Sequence, residues 1–308
     1  VARTLCRHGA NLSLVARDKA NARRIFSSLE VTGEIIEADL GNHSEVLRLL
    51  HDIRPSIIFN LAGYGVDSSE RDEEVAFQIN VRLVESICQA MATIKDQDWR
   101  GQQIIHTGSA LEYGATSSNL SEDSSPCPTT LYGKSKLAGT RALARLCGAH
   151  EISGITARLF TVYGPGEHPG RLLPSLIETA RTGDALPLTA GDQRRDFTYV
   201  EDVADMLLRL GLASASAGEV VNLATGRLTS VRDFAETAAR ALGIPAERLK
   251  FGVLPMRGEE MKHSQVTTEK LRRMTGPFSF TSIEEGIRKT KDLENRPEKR
   301  NIASVEHF

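Results

Sequence analysis

The stretch Gln102-Gln-Ile-Ile-His-Thr-Gly-Ser109, then Pro128-Thr-Thr-Leu-Tyr-Gly-Lys-Ser-Lys136, then Ser153-Gly-Ile-Thr-Ala-Arg-Leu-Phe160 decides the fold. Its first and last segments are short apolar runs, predicting strands at 102–107 and 153–160, and the segment between them predicts a helix at 131–149. Working outward, strands are expected at 12–16, 33–37 and 56–62, and helices at 18–29, 43–51 and 71–93. Runs such as Ile57-Ile58-Phe59 are apolar without alternation, as expected when both faces of a sheet are covered. Strand and helix in alternation imply an α/β protein with a doubly wound parallel sheet.

Ligands of such sheets sit beyond the carboxyl ends of the strands. Thr107-Gly108-Ser109 and Asn60-Leu61-Ala62-Gly63 fall there, and Tyr132 opens the long helix. From Gly164-Pro165 onward Pro and Gly recur and elements shorten, which predicts a smaller α+β domain. The expected division is a first domain at 1–164 with segments returning near 191–226, and a second at 165–190 and 227–308. Residues 291–301 are highly charged and read as a solvated tail. Val1-Ala-Arg-Thr-Leu-Cys-Arg-His8 reads as the end of a helix stopped by Gly9. A chain that begins in mid-helix is expected to be a fragment lacking an upstream strand and the loop entering this helix.

The chain has 308 residues, 38 Lys and Arg against 40 Asp and Glu, a net charge of −2 and few aromatic residues. That balance gives no reason to expect nucleic acid or an anionic membrane as partner. Cys6, Cys88, Cys127 and Cys147 form no Cys-x-x-Cys pair and the eight histidines no ligand spacing, so no metal site is indicated. No apolar run reaches the length of a membrane span. These features suit a cytoplasmic globular enzyme or binding protein.

The chemistry is concentrated in Tyr132 and Lys136. Positions i and i+4 share a helix face, about 6 Å apart along the axis. A phenol with a pKa near about 10 is a poor base at neutral pH, and a cation beside it stabilises the phenolate. Ser109, ending a neighbouring strand, is placed to hold a substrate oxygen whose proton Tyr132 gives or takes. That is equipment for interconverting an alcohol and a carbonyl. Tyr and Lys four apart also occur by chance on solvated helices, so the context of the pair decides.

The context consists of Asp39-Leu40, Asn60-Leu-Ala-Gly63, Asn80-Val81, Thr107-Gly-Ser109 with Tyr113-Gly114, and Pro128 to Lys136. It continues with Arg158-Leu-Phe-Thr-Val-Tyr-Gly-Pro-Gly166, Arg194-Arg-Asp-Phe-Thr-Tyr-Val-Glu-Asp202 and Arg257-Gly258-Glu259. In this order and spacing the chain resembles the extended short-chain dehydrogenase/reductase family of nucleotide-sugar epimerases, dehydratases and ketoreductases. The resemblance covers essentially the whole chain and implies a Rossmann-like fold and a homodimer in which helices near 75–93 and 131–149 form a four-helix bundle. It also implies that Ser109, Tyr132 and Lys136 are the catalytic triad, with Lys136 also holding the nicotinamide ribose. Asp39 would bond the adenine amino group, with Leu40, Asn60, Ala62, Gly63 and Asn80 around the cofactor. Arg195 and Arg257 would clasp a diphosphate through paired charge-assisted bonds. Two features depart from the family: its opening strand and Gly-rich phosphate loop do not occur in the sequence, and Thr161 stands where many members carry an Asn facing the substrate.

An acid ending the second strand would bond the ribose diol of NAD, and an arginine there would accept the 2′-phosphate of NADP. The strand ends Leu14-Val-Ala-Arg17-Asp18, so Arg17 points to NADP while Asp18 keeps NAD open or caps the next helix. Ala110 and Leu111 follow Ser109 where dehydratases carry acids, so 4,6-dehydration is disfavoured. Glu112, one position on, would on an extended segment point to the opposite side from Leu111, and reads as a structural or solvated carboxylate. A 4-ketoreductase and a 4-epimerase of a nucleotide sugar remain, and the alternative of another class is a catalytically silent dinucleotide-binding sensor.

Overall fold

The computed structural model describes residues 1–66, 69–94, 96, 98–114, 119–214, 217–256 and 264–294. After helix α1 (Ala2–Arg7), strand β1 (Ser13–Ala16), α2 (Lys19–Ser28), β2 (Glu34–Glu37), α3 (His43–Ile53) and β3 (Ile58–Asn60) alternate. There follow α4 (Glu73–Phe77), a π-helical turn at Gln78–Arg82, α5 (Leu83–Ile94), β4 (Ile104–Ser109), α6 (Leu131–His150) and β5 (Gly154–Leu159). The second half holds β6 (Thr161–Tyr163), α7 (Leu172–Thr182), β7 (Leu186–Pro187), β8 (Arg194–Tyr199), α8 (Val200–Leu212), β9 (Glu219–Leu223) and β10 (Leu228–Ser230). It ends with α9 (Val231–Leu242), β11 (Leu249–Lys250), α10 (Glu269–Thr275) and α11 (Ile283–Glu294).

The parallel sheet runs in two sections. One pairs β1 with β2, and the other has the order β3-β4-β5-β9, every ladder parallel. Alternation along β4 explains the continuous apolar runs. Ile104 packs with α3, α5 and α6 on one face, while Ile105 packs with Ile155, Val221 and α8 on the other. β9 is the segment that returns to the sheet after the chain has left it.

The small sheet β10-β8-β6 backs a separate core in which Tyr163, Phe197 and Phe234 meet α7, α9 and α11. Phe197 and Phe234 stack with ring centroids 4.2 Å apart. Helices begin on side-chain caps: Asp18, the cap expected from sequence, accepts from Asn21 N–H at 2.9 Å, and Thr130 from Gly133 N–H at 3.0 Å. The helix expected over 71–93 is instead α4, a π turn and α5. The extra residue of a π turn re-aims side chains along an otherwise continuous helix, and such turns gather at functional sites. Here it carries Asn80.

Candidate active site

Ser109 ends β4, and Tyr132 and Lys136 stand on the first turns of α6, so all three lie at the carboxyl edge of the large sheet section. The Ser109 hydroxyl lies close enough to the Tyr132 phenol to oppose the upward shift of its pKa. Ser109 and Lys136 are buried and Tyr132 half-buried. Gly65 of the β3 loop lies against the phenol ring.

Ala110–Glu112 is a single 3₁₀ turn and not the extended segment expected, because Ser109 and Glu112 form a capping box. Glu112 Oε1 accepts the Ser109 N–H at 2.8 Å, and the Ser109 Oγ accepts the Leu111 N–H at 3.2 Å. The turn folds Glu112 inward, where it is fully buried and paired with Arg158 of β5 at 2.9 Å. Glu112 is therefore a buried structural carboxylate, and Ala110 and Leu111 leave no acid directly after Ser109.

Burial pushes the Tyr132 phenol up to about 12; Glu112 and Glu70 add to the rise, while Ser109 and Arg171 oppose it. Burial brings the Lys136 ammonium down to about 8, against an upward pull from Glu112. The expectation that Lys136 would depress the phenol is not what the geometry delivers. The lysine shares a helix face with Tyr132, but its long side chain runs on to the β3 loop, where Nζ lies 3.7 Å from where a Gly63 Cβ would stand. Its charge falls on His106, which is fully buried and held well below its ordinary range by desolvation first and Lys136 second.

Asn80 ties these parts together. Its Oδ1 accepts the Tyr64 N–H at 3.1 Å, and its Nδ2 donates at 2.8 Å to both the Tyr64 carbonyl and the Ser135 Oγ. Ser135 Oγ in turn donates to the Tyr132 carbonyl at 3.0 Å. Two residues earlier, Gln78 Nε2 donates to the Gly41 carbonyl at 2.7 Å, so the π turn joins the loop after β2 to the loop after β3 and to α6. Asn60 is buried, donating to His106 Nδ1 at 3.2 Å and accepting the Ala62 N–H at 3.3 Å. Ala62 and Leu40 pack against the core beneath α3, α5 and α6.

The end of the sheet edge where adenine is expected is more open. Asp39 is exposed, its Oδ1 held by the Gly41 N–H at 2.9 Å. Arg17 is exposed at the end of β1, and Asp18 caps α2. Thr161 opens β6 two residues beyond Leu159, the strand partner of Ser109. Arg195 lies on the adjacent β8, opposite Thr229. Arg257 lies outside the described residues. The sequence reading took Glu112 as a structural or solvated carboxylate without seeing its partners, and passed over Ser135, His106 and Gln78. Of these only Glu112 left a signal, the Ser-x-x-Glu spacing of a capping box.

A parallel α/β sheet with a Ser, Tyr and Lys gathered at its carboxyl edge defines a dinucleotide-dependent alcohol/carbonyl enzyme. The chain belongs to the NAD-dependent epimerase/dehydratase family, whose model matches residues 1–224. It is 29% identical over 296 residues to a dTDP-6-deoxy-L-talose 4-dehydrogenase (NAD(P)(+)) of Kitasatospora kifunensis, covering 91% of this chain and 89% of the relative. It is 28% identical over 274 residues to a UDP-glucose 4-epimerase of Mycolicibacterium smegmatis, covering 85% and 82%. Among solved structures it resembles a UDP-glucuronic acid 4-epimerase of Bacillus cereus in complex with UDP-glucuronic acid and NAD. That match has a TM-score of 0.81 at 24% identity over 95% of this chain and 93% of the other. Among the described residues, no helix is long and apolar enough to cross a membrane.

Proposed function

We propose that this chain is a 4-ketoreductase or 4-epimerase of a nucleotide-activated sugar, with Ser109, Tyr132 and Lys136 as its catalytic residues. The observation that carries the reading is the meeting of Ser109 and Tyr132 hydroxyls at the carboxyl edge of the sheet, with Lys136 one turn along the same helix. The donor set fits a dinucleotide: an exposed carboxylate at Asp39, a buried ammonium at Lys136 beside Gly63, and an exposed guanidinium at Arg17. When bound, the nicotinamide supplies or accepts the hydride. Ser109 holds the sugar oxygen, and Tyr132 gives that oxygen its proton or takes it back. A phenol pushed up to about 12 carries its proton at neutral pH, the form that gives it to the sugar oxygen. Lys136 binds the nicotinamide ribose; Asp39 and Leu40 receive the adenine, and Asn60, Ala62, Gly63 and Asn80 shape the floor between.

Arg17 favours NADP over NAD, since Asp18 is engaged as a cap. Thr161 and Arg195 are assigned to the nucleotide sugar, and Arg257, outside the described residues, is assigned to it from its place in the sequence alone. The packing of α8 and β9 with the large sheet supports a dinucleotide domain at 1–164 with segments returning near 191–226. The separate core around Phe234 supports a substrate domain at 165–190 and 227–308, to which Tyr163 of β6 and Phe197 of β8 also contribute. α5 and α6 are the faces through which two copies would form a homodimer. A shallow depression between them is lined by Val81, Glu85, Pro128, Leu137 and Arg141.

The test incubates the protein with NDP-sugars and NDP-4-keto-6-deoxyhexoses, following NADPH consumption and epimer formation. Tyr132→Phe is expected to cost about 10²–10⁴-fold in kcat with the fold intact. Turnover in neither assay, and no change in Tyr132→Phe, would leave the silent sensor as the reading.

A further inference from the structure

Among the described residues, Glu112 is the one buried carboxylate whose hydrogen bonds reach both elements that carry the proposed catalytic residues. Its Oε1 takes the Ser109 N–H at 2.8 Å, fixing the end of β4. Its Oε2 takes the Thr140 hydroxyl at 3.1 Å, and Thr140 lies on α6. Tyr132, Lys136 and Thr140 are spaced i, i+4 and i+8, so the bonded threonine continues the helix face that carries the other two. The fit is close: a Cβ on Gly108 would stand 2.5 Å from Glu112 Oε1, so the strand can only carry glycine beside this carboxylate.

The pair is not a simple neutral clasp. Arg158 gives its Nε to Glu112 at 2.9 Å and stacks over Tyr113 at 4.5 Å, yet its Nη1 is buried without a partner. A well-packed apolar pair of the same size is often as stable as a buried ion pair, so stability alone does not explain a carboxylate here.

Resting on the function proposed above, we propose that Glu112 is the positioning residue of the catalytic trio. It locks Ser109 to the helix face of Tyr132 and Lys136 and presents one negative charge to both. Arg158 from β5, Tyr113 from its own turn, and Lys136 and Tyr132 from α6 are the ionisable groups around it. Beyond them Arg171 and Glu70 act on Tyr132, and His106 faces Lys136. The sign of the charge effect is the same on both: a carboxylate keeps the ammonium and the phenol protonated to higher pH. It offsets the desolvation of Lys136 and reinforces that of Tyr132.

The test is Glu112→Gln, which keeps the Ser109 N–H acceptor and removes the charge. With ¹³Cε-labelled lysine assigned through Lys136→Arg, the Lys136 resonance in wild type is expected to titrate near about 8. In the variant its midpoint should fall by about one pH unit. In the activity assay kcat should drop with KM little changed, and the alkaline limb of the pH profile should move to lower pH. Glu112→Asp should restore the wild-type midpoint in part. If Arg158 left without its partner prevents folding, Glu112→Gln with Arg158→Met removes both charges, and the lowered Lys136 midpoint is read there. An unchanged midpoint in a folded variant overturns the proposal. Because the titration needs no turnover, its outcome is independent of whether the substrate assignment holds.

Discussion

The two ends of the proposed cofactor cleft are built on opposite plans. At the chemical end, Ser109 and Lys136 are buried and their neighbours are bonded to one another: Asn80 to Tyr64 and Ser135, Ser135 to Tyr132, Glu112 to Ser109, Thr140 and Arg158. At the adenine end Arg17, Asp18 and Asp39 are exposed, and the bonds the two carboxylates make are local to their own turns. Buried polar groups must be satisfied, so the first end tolerates few arrangements; exposed ones exchange partners with water, so the second can vary without disturbing the fold. Proton transfer needs fixed geometry, whereas the choice between two cofactors needs only a difference in charge.

The largest break in this contrast should come from the contact between α6 and the π turn. Gly139 lets the helix approach so closely that an added Cβ would lie 2.1 Å from the Asn80 carbonyl oxygen. Gly139→Ala must push α6 away and is expected to destabilise by about 3 kcal/mol, at the upper end of overpacking effects. Asn80→Ala keeps the backbone but leaves the Tyr64 N–H and carbonyl and the Ser135 hydroxyl to find new partners, at a cost of about 2–3 kcal/mol. Urea unfolding of both variants measures the loss, and Arg17→Ala is the contrasting control. If all three unfold at the wild-type midpoint, the chemical end is not the rigid one.

A smaller effect follows from His106, which sits beneath the lysine. Its folded pKa lies well below 6.5, so the unfolded chain binds more protons than the folded one as pH falls. The stability it secures is present above pH 6.5 and is lost progressively below it, with a slope of up to about 1.4 kcal/mol per pH unit. His106→Gln should flatten unfolding free energy against pH between about 6.5 and 5, whatever the substitution costs at pH 7.5. A slope as steep as wild type would mean that another group carries the acid sensitivity.

Legibility in the sequence followed the same division. Strand ends and helix starts were readable because apolar runs covered on both faces and a capping residue such as Asp18 act locally. Tyr132 and Lys136 were readable because helical spacing fixes which face they share. The π turn was not, since the residues over 71–93 keep a helical pattern and the insertion is set by the fit of Asn80 against Tyr64 and Ser135. Nor was the reach of Lys136 past Tyr132, because spacing gives a side chain's root and packing decides its tip. Glu112 lay between: its Ser-x-x-Glu spacing announced a cap, but its bonds to Arg158, 46 residues on, and Thr140, 28 residues on, depend on the fold.

The smallest expected effect sharpens the comparison most, because it should alter binding without touching structure. Arg17 projects from the end of β1 into solvent, and removing an exposed side chain there should change stability by no more than about 0.5 kcal/mol. Against NADPH the loss should be larger, since hydrogen bonds to a charged group are worth about 1.5–3 kcal/mol, or roughly tenfold or more in affinity. NADH has no 2′-phosphate and should be nearly unaffected. Arg17→Ala is therefore expected to lower the ratio of kcat/KM for NADPH over NADH about tenfold, chiefly through KM. Asp18→Asn keeps a capping side chain and removes one negative charge beside the same phosphate, so the ratio should rise. If neither ratio moves, the end of β1 is not where the two cofactors are told apart. Discrimination would then have to come from the chemical end, and the division of labour drawn between the two ends would fail.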